Sequence, residues 1–408
     1  MGWSNAGGPS PTGATPSWLD VDPGRITSLL VSLVGADSAN PPGGEASVVA
    51  VLVAYLERHG LHPTVHEVLP GRPNLSVAIG PSGGPTLLLN AHSDTMPAGL
   101  GWSSDPFQAR IVDGWLYGRG ACDTKGGLAA MVEAIIVLAG QAGSLRGCVI
   151  LDVVIDEEGG AAGTQAVIAR GRRADWAIVA EPTDLTVARV SNGQLDVEVV
   201  LRGQAAHGST PDDGMNAIGG AAQLIGLIEA AHADLRPHPH PLTGPATYNV
   251  GMIRGGVQVS IVPAECRLEI DRRVLPGATL DAALADVDNL LAQVRAGRPG
   301  LVIDRTATVA IPPVDVPAAS PVCTALVAAL EEVGATPVVG GLRATSDAAW
   351  LDVAGIPAVV FGPGSLAHAH QPNERVAIAD VLTAARVIVA AAENLFRSGA
   401  GGPPSEDS

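Results

Sequence analysis

Residues 85–94 read PTLLLNAHSD, an apolar run that stops at an imidazole and a carboxylate. Residues 148–158, CVILDVVIDEE, repeat the arrangement and end on Asp156, Glu157 and Glu158. Residues 176–181, WAIVAE, do so again with Glu181, and residues 357–361, PAVVF, precede a loop that carries His370. Short runs of leucine and β-branched residues bounded by turn signals read as buried strands. Between them, segments 47–58, 125–138, 162–170, 321–333 and 378–396 have helical spacing. Strands alternating with helices indicate an α/β fold on a mainly parallel sheet. In such sheets, sites form at the carboxyl ends of the strands. The polar groups at 92–94, 156–158 and 181 stand at those ends.

The rhythm changes near Gly193. Segment 195–202 alternates like a strand, 215–232 is helical, 247–253 and 264–273 are strands, and 280–294 is a helix. This is an α+β pattern, expected to be a smaller unit inserted into the first. The expected division is a catalytic domain over 1–192 and 307–408, interrupted by the insert at 193–306. A chain of 408 residues is long enough for two domains. Residues 1–16 and 399–408, rich in Gly, Ser and Pro, are expected to lack fixed structure. The first of these has no basic start and no apolar core, so it does not read as a secretory signal.

Composition excludes several roles. The net charge of −17 argues against nucleic acid as a partner, because phosphate binding needs clustered Lys and Arg. The longest apolar segment, 128–140, is too short for a bilayer and is interrupted by Glu133, so it reads as a buried helix and no membrane is expected. Cys122, Cys148, Cys266 and Cys323 have no paired spacing. They suggest neither a disulfide framework nor a thiolate zinc site, and a reducing cytoplasmic home is expected.

A lone histidine after a strand is usually structural, and an acidic run is usually a solvated helix start. Several such ends gathered on one sheet edge are harder to explain so. Asp123 joins them, in a loop with Gly118, Gly120, Gly126 and Gly127 just before a helix. Carboxylates brought together repel and raise one another's pKa values unless a cation lies between them. Two imidazoles and three carboxylates without a thiolate suit Zn²⁺, and also Co²⁺ or Mn²⁺. They suffice for two divalent ions if one carboxylate bridges.

The segments HSDT (92–95), GRGACDTKGG (118–127), DEE (156–158), AEPT (180–183) and HQPNE (370–374) together resemble the zinc aminoacylase and exopeptidase family. That family includes acetylornithine deacetylase, succinyl-diaminopimelate desuccinylase, aminoacylase and glutamate carboxypeptidase. The resemblance spans nearly the whole chain in order. It implies a di-metal catalytic domain with an inserted lid that also forms a homodimer contact. It implies Asp123 as the bridging ligand, with His92 and Glu181 on one ion and Glu158 and His370 on the other. Asp94 would orient His92 through its second nitrogen. Glu157 would be the general base acting on a water between the ions. A cis peptide at Asp123-Thr124 belongs to the same pattern.

The resemblance extends to the insert. His207, in AAHGSTP (205–211), matches a histidine that stabilises the oxyanion, often from the partner subunit. Arg273, in DRRVLPG (271–277), matches an arginine that grips a substrate carboxylate. One departure is Ser260, in GVQVSIVP (256–263), where the family often has Asn. A hydroxyl replaces an amide at that substrate contact.

Other signals carry less. Residues 80–84, GPSGG, match a nucleophile-elbow pattern, but strands flank both sides and a hairpin loop is the expected reading. His238 and His240 sit in a Pro-rich loop. His368 rivals His370, which heads the His-x-Pro-x-Glu pattern, and Cys122 reads as packing. The resulting expectation is a deacylase of N-acyl amino acids, most like acetylornithine deacetylase. A metallo-exopeptidase or dipeptidase is the nearest alternative enzyme. A catalytically silent, metal-stabilised binding protein is the alternative outside enzymes.

Overall fold

The computed structural model describes residues 16–398. Except for Pro16, the two ends expected to lack fixed structure fall outside the described residues. Among the described residues, a mixed sheet runs in the spatial order Thr64–Leu69, Arg72–Ile79, Cys148–Val154, Thr86–His92, Trp176–Val179, Ala358–Val360, Val187–Ser191 and Val314–Asp315. Val339–Leu342 also pairs with Val187–Ser191. The four middle strands, Cys148–Val154 to Ala358–Val360, run parallel. They are buried at almost every position, which is why their sequences are continuous apolar runs rather than alternating ones. The fold is α/β on a mainly parallel sheet, as the strand–helix alternation implies.

Helices Pro23–Gly35, Gly126–Ala139, Pro321–Glu332 and Ile378–Ser398 pack against one another beside this sheet. Gly126–Ala139 is buried on nearly every side, in keeping with a sequence that is apolar apart from Glu133, which Arg25 pairs. No helix of the described residues is long and apolar enough to cross a membrane.

The 80–84 loop is not a hairpin. Cys148–Val154 lies between Arg72–Ile79 and Thr86–His92 and pairs with both. The loop therefore spans two inter-strand steps, about 10 Å. A Gly/Pro turn between apolar runs signals a chain reversal, but it does not make the two runs neighbours. Here a third run, more apolar and distant in sequence, takes the place between them.

A second sheet, in the order Thr247–Gly255, Glu265–Val274, Gly193–Arg202 and Val302–Ile311, is antiparallel throughout. Helices Ala217–Leu235 and Leu280–Gly297 cover one face, over a core that includes Leu195, Val197, Leu224, Leu268 and Leu291. Alternation along Gly193–Arg202 puts Gln194, Asp196 and Glu198 on the other, half-exposed face. The chain crosses between the two sheets twice, at adjacent places: Ser191 pairs with Val314, and Gln194 with Ile311. The Val302–Ile311 strand runs through the boundary drawn at 306.

A third, small sheet joins Arg375–Ala377, Trp115–Tyr117 and Arg110–Val112. Its apolar content is too slight to read from sequence. It matters because it anchors both the 118–125 loop and the 365–374 loop.

Helix Ala162–Ala169 follows directly on the 156–161 loop. It starts close against the sheet, where Gly163 N donates to Ile155 O at 3.0 Å. A methyl group on Gly163 would lie 2.4 Å from Ile155 N and 2.8 Å from Asn74 Oδ1. Gly163→Ala is therefore expected to cost about 1–3 kcal/mol, the range for overpacking. Denaturant titration of the two proteins checks it; an unchanged midpoint would contradict the close approach.

Candidate metal centre

The carboxyl ends of the parallel strands bring two triads together. His92, Asp123 and Glu181 offer ligand atoms within 4.8 Å of one another, and so do Asp123, Glu158 and His370. Asp123 belongs to both. His92 Nε2 lies 3.1 Å from Asp123 Oδ1, and His370 Nε2 lies 3.2 Å from Asp123 Oδ2 and 3.0 Å from Glu158 Oε1. A cavity of about 280 Å³ opens over these groups, with Glu157, Gln194 and Arg273 also in its walls. The peptide Asp123-Thr124 is cis.

The charges respond to this crowding. Burial alone would lower the His92 imidazole, but its bond to Asp123 and the charges of Glu181 and Glu157 hold it well above the usual histidine range. His370 is pushed up to about 10 by its hydrogen bonds to Asp123 and Glu158. Burial would raise Asp123, but His370 and His92 keep it below the usual carboxylate range. Glu181 is pushed well up by burial and by the charges of Asp123 and Glu157. Glu157 is also raised, by burial and by Asp347, Glu158 and Asp123, against the pull of His92. The buried Glu181 Oε1 has no hydrogen-bond partner. A donor set of this chemistry fits divalent cations.

Asp94 does more than face His92. His92 Nδ1 lies 3.0 Å from the Asp94 carbonyl oxygen and 3.7 Å from Oδ1. The buried Asp94 carboxylate instead accepts the backbone N–H groups of Glu157 (3.2 Å) and Glu158 (3.1 Å). Asn40 Nδ2 bridges Asp94 and Asp156, at 2.9 Å to each. Arg72, itself paired with Glu45, reaches Asp156 at 2.9 Å. The loop carrying Glu157 and Glu158 is thus held from below by residues far away in sequence.

Glu374 does the same for Asp123. Its Oε1 accepts Cys122 N at 2.9 Å and Asp123 N at 3.0 Å, and its Oε2 pairs with buried Arg119 at 2.6 Å. Asp347, buried just before a helix, is pushed up to about 7 by burial, and its charge acts on Glu157. Sequence reading missed Asn40, Arg72, Arg119, Asp347 and the supporting role of Glu374. Glu374 had a signal, the His-x-Pro-x-Glu spacing, and Arg119 lies within the 118–127 motif; the others had none.

The insert's candidates lie differently. Arg273 lines the cavity, but its Nε and Nη2 both bond the Asp271 carboxylate, at 2.9 Å each to the nearer oxygens. His207 is exposed, with Nδ1 2.7 Å from Ser209 Oγ, and lies outside the cavity lining. Ser260 is beside it, its carbonyl accepting Gly208 N at 2.7 Å. So the structure gathers His92, Asp94, Asp123, Glu157, Glu158, Glu181, His370 and Arg273, and leaves His207 and Ser260 apart. His368 packs edge-on against Trp115, 5.8 Å between ring centres. Cys122 is buried, with Sγ donating to Ser365 O, and burial pushes its thiol up, as packing implies.

A family model described as peptidase family M20/M25/M40 matches residues 88–394. N-formyl-4-amino-5-aminomethyl-2-methylpyrimidine deformylase of Bacillus subtilis is 29% identical over 90% of this chain and 93% of its own length. Acetylornithine deacetylase of Vibrio vulnificus is 32% identical over 89% of this chain and 94% of its own. Among solved structures, a dinuclear metal-binding peptidase of the M20 family from Bacillus subtilis superimposes with a TM-score of 0.72 at 17% identity, covering 92% of this chain and 98% of that one.

Asn40→Ala removes two hydrogen bonds to carboxylates and leaves Asp94 facing Asp156. The expected loss of stability is about 1.5–3 kcal/mol, the size of one hydrogen bond to a charged group. Denaturant titration measures it, and a change within about 0.5 kcal/mol would mean the bridge is not a support.

Proposed function

The chain belongs to peptidase family M20/M25/M40, whose members hydrolyse amide bonds, and from that premise we propose that it removes the acyl group from an N-acyl amino acid. The observation that carries this reading is the pair of triads sharing Asp123, with Glu157 in the same cavity wall. In this reading His92, Asp123 and Glu181 hold one divalent ion, and Asp123, Glu158 and His370 the other, with zinc the metal best suited to the donors. Such ions, when bound, lower the pKa of water and polarise a carbonyl.

The chain's own residues supply the remaining steps. Glu157 is no member of either triad. Its place in the cavity wall lets it take the proton of the attacking water and hand it to the leaving nitrogen. Asp94 fixes where Glu157 stands, through the backbone N–H it holds. Arg273 can present its guanidinium to a substrate carboxylate at the cavity wall. Asp271 already engages it. That favours a second reading, in which the substrate is an N-formyl or N-acyl amine with no carboxylate, as in the name of the Bacillus subtilis deformylase.

His207 lies outside its own chain's cavity, so an oxyanion role would need a second copy. The Thr247–Gly255 strand is one of the two edges of its sheet, and Met252 and Ile253 are exposed on it. An edge of this kind pairs readily with another chain, and a homodimer through it is part of the proposal. The four unpaired cysteines fit a reducing, cytoplasmic setting.

Glu157→Gln is expected to keep its metal content while losing at least ~10²-fold in turnover, the low end for a missing general base. Glu158→Ala is expected to lose metal, as read by elemental analysis. Full turnover in the first variant would end the mechanism; full metal content in the second would remove Glu158 from the ligands. A screen of the zinc-loaded protein, with a chelator control, separates the substrates. It should span N-acetyl, N-formyl and N-succinyl amino acids, N-formyl amines and dipeptides. Sedimentation tests the dimer, and a fully active monomer would exclude an oxyanion role for His207 from a second copy.

A further inference from the structure

We propose that a second cavity, adjoining the metal-centre cavity beside Glu157, receives an apolar substituent on the leaving-amine side of the substrate. The inference rests on the amide-hydrolysis reading above and names the substrate class within it. The second cavity holds about 220 Å³. It shares Glu157, Gly159, Val309 and Ile311 with the first, so the two cavities adjoin along the wall that carries Glu157.

The chemistry decides which end of the substrate enters it. Asp123, Glu158, Glu181, His370 and Arg273 line the first cavity and not the second. The scissile carbonyl belongs there. Glu157 must come within hydrogen-bond reach of the leaving nitrogen to protonate it. Whatever that nitrogen carries is therefore held next to Glu157, at the mouth of the second cavity. The acyl chain, on the other side of the bond, has no such constraint.

The lining decides what kind of group fits. Ala161, Val309, Ala310, Ile311 and Trp350 supply apolar surface from both sheets' sides of the cleft. Among its described residues Glu157 is the one ionisable side chain. A cationic substituent, such as the side chain of ornithine, would find Glu157 as its sole counter-charge and would occupy the base that the reaction needs. An apolar or aromatic side chain gains by leaving water and leaves Glu157 free.

The test compares N-acetylphenylalanine with N-acetylglycine, and N-acetylornithine with both, on the zinc-loaded protein. The expected order in kcat/KM is phenylalanine first, by about tenfold or more over glycine, in line with the burial of an apolar side chain. Gln165→Phe fills the cavity from an exposed position, where a folding cost is small. It is expected to lower kcat/KM for N-acetylphenylalanine about tenfold, and to leave N-acetylglycine within about twofold. Equal losses on both substrates, no loss on either, or a preference for ornithine would overturn the subsite. Failure to cleave any N-acyl compound would overturn the amide-hydrolysis reading instead. The cavity is then judged by calorimetric binding of N-acetylphenylalanine, which Gln165→Phe must weaken if the subsite stands.

Discussion

His92 and His370 approach the two oxygens of Asp123 from opposite sides, at 3.1 and 3.2 Å, while Glu158 and Glu181 stand beside them. This concentration of carboxylates in a buried place is the constraint that the surrounding structure has to satisfy. Like charges so close would drive the loops apart or take up protons unless positive charge balances them. The imidazoles held above their usual range and the raised Glu157 and Glu181 show the strength of that demand. In the proposed reading, a divalent cation in each triad would answer it with the donor types present.

Holding such groups in place is a separate problem from neutralising them. The loops that bear them have few apolar side chains with which to pack. They are fixed through their backbone instead. Asp94 takes the N–H groups of Glu157 and Glu158, and Glu374 takes those of Cys122 and Asp123. Each of these carboxylates has its own partner behind it: Asn40 for Asp94, Arg119 for Glu374. A buried carboxylate that accepts backbone N–H groups stiffens the loop. The side chains nearest the chemistry are thus left free to face the cavity.

These two layers differ in how far they could be read from the sequence. The strands were legible because burial on both faces forces an unbroken apolar run, and groups at the ends of such runs in a parallel sheet share an edge. His92, Glu158, Glu181 and His370 could be brought together on that logic and on the resemblance of their motifs. Asn40, Arg72 and Asp347 could not, because a polar residue in a loop carries no trace of which distant carboxylate it will meet. The order of the strands was also hidden. Placing 148–154 between 72–79 and 86–92 is a long-range choice that a local turn signal does not encode. His207 matched a motif and Ser260 stood in one as a departure, yet one chain folds with both on the far part of the second sheet, where its own cavity does not reach.

The second sheet meets the first through two strand connections that lie side by side, at 191–194 and 311–314. Paired in this way, they tie the register of Val302–Ile311 to the first sheet at one end. Val309 and Ile311 sit within three residues of that tie, and they line both cavities. The apolar wall beside Glu157 is therefore held close to the catalytic edge, whereas the Thr247–Gly255 strand at the opposite margin is two strands further from the tie. Arg273 pairs with Gln194 at the same junction, so tilting of the second sheet about it would move the far end of the sheet, beyond Arg202 and Gly255 where His207 and Ser260 lie, more than either Arg273 or Val309. The apolar wall and the wall that carries Arg273 are anchored at one place, and displacement grows only with distance from it.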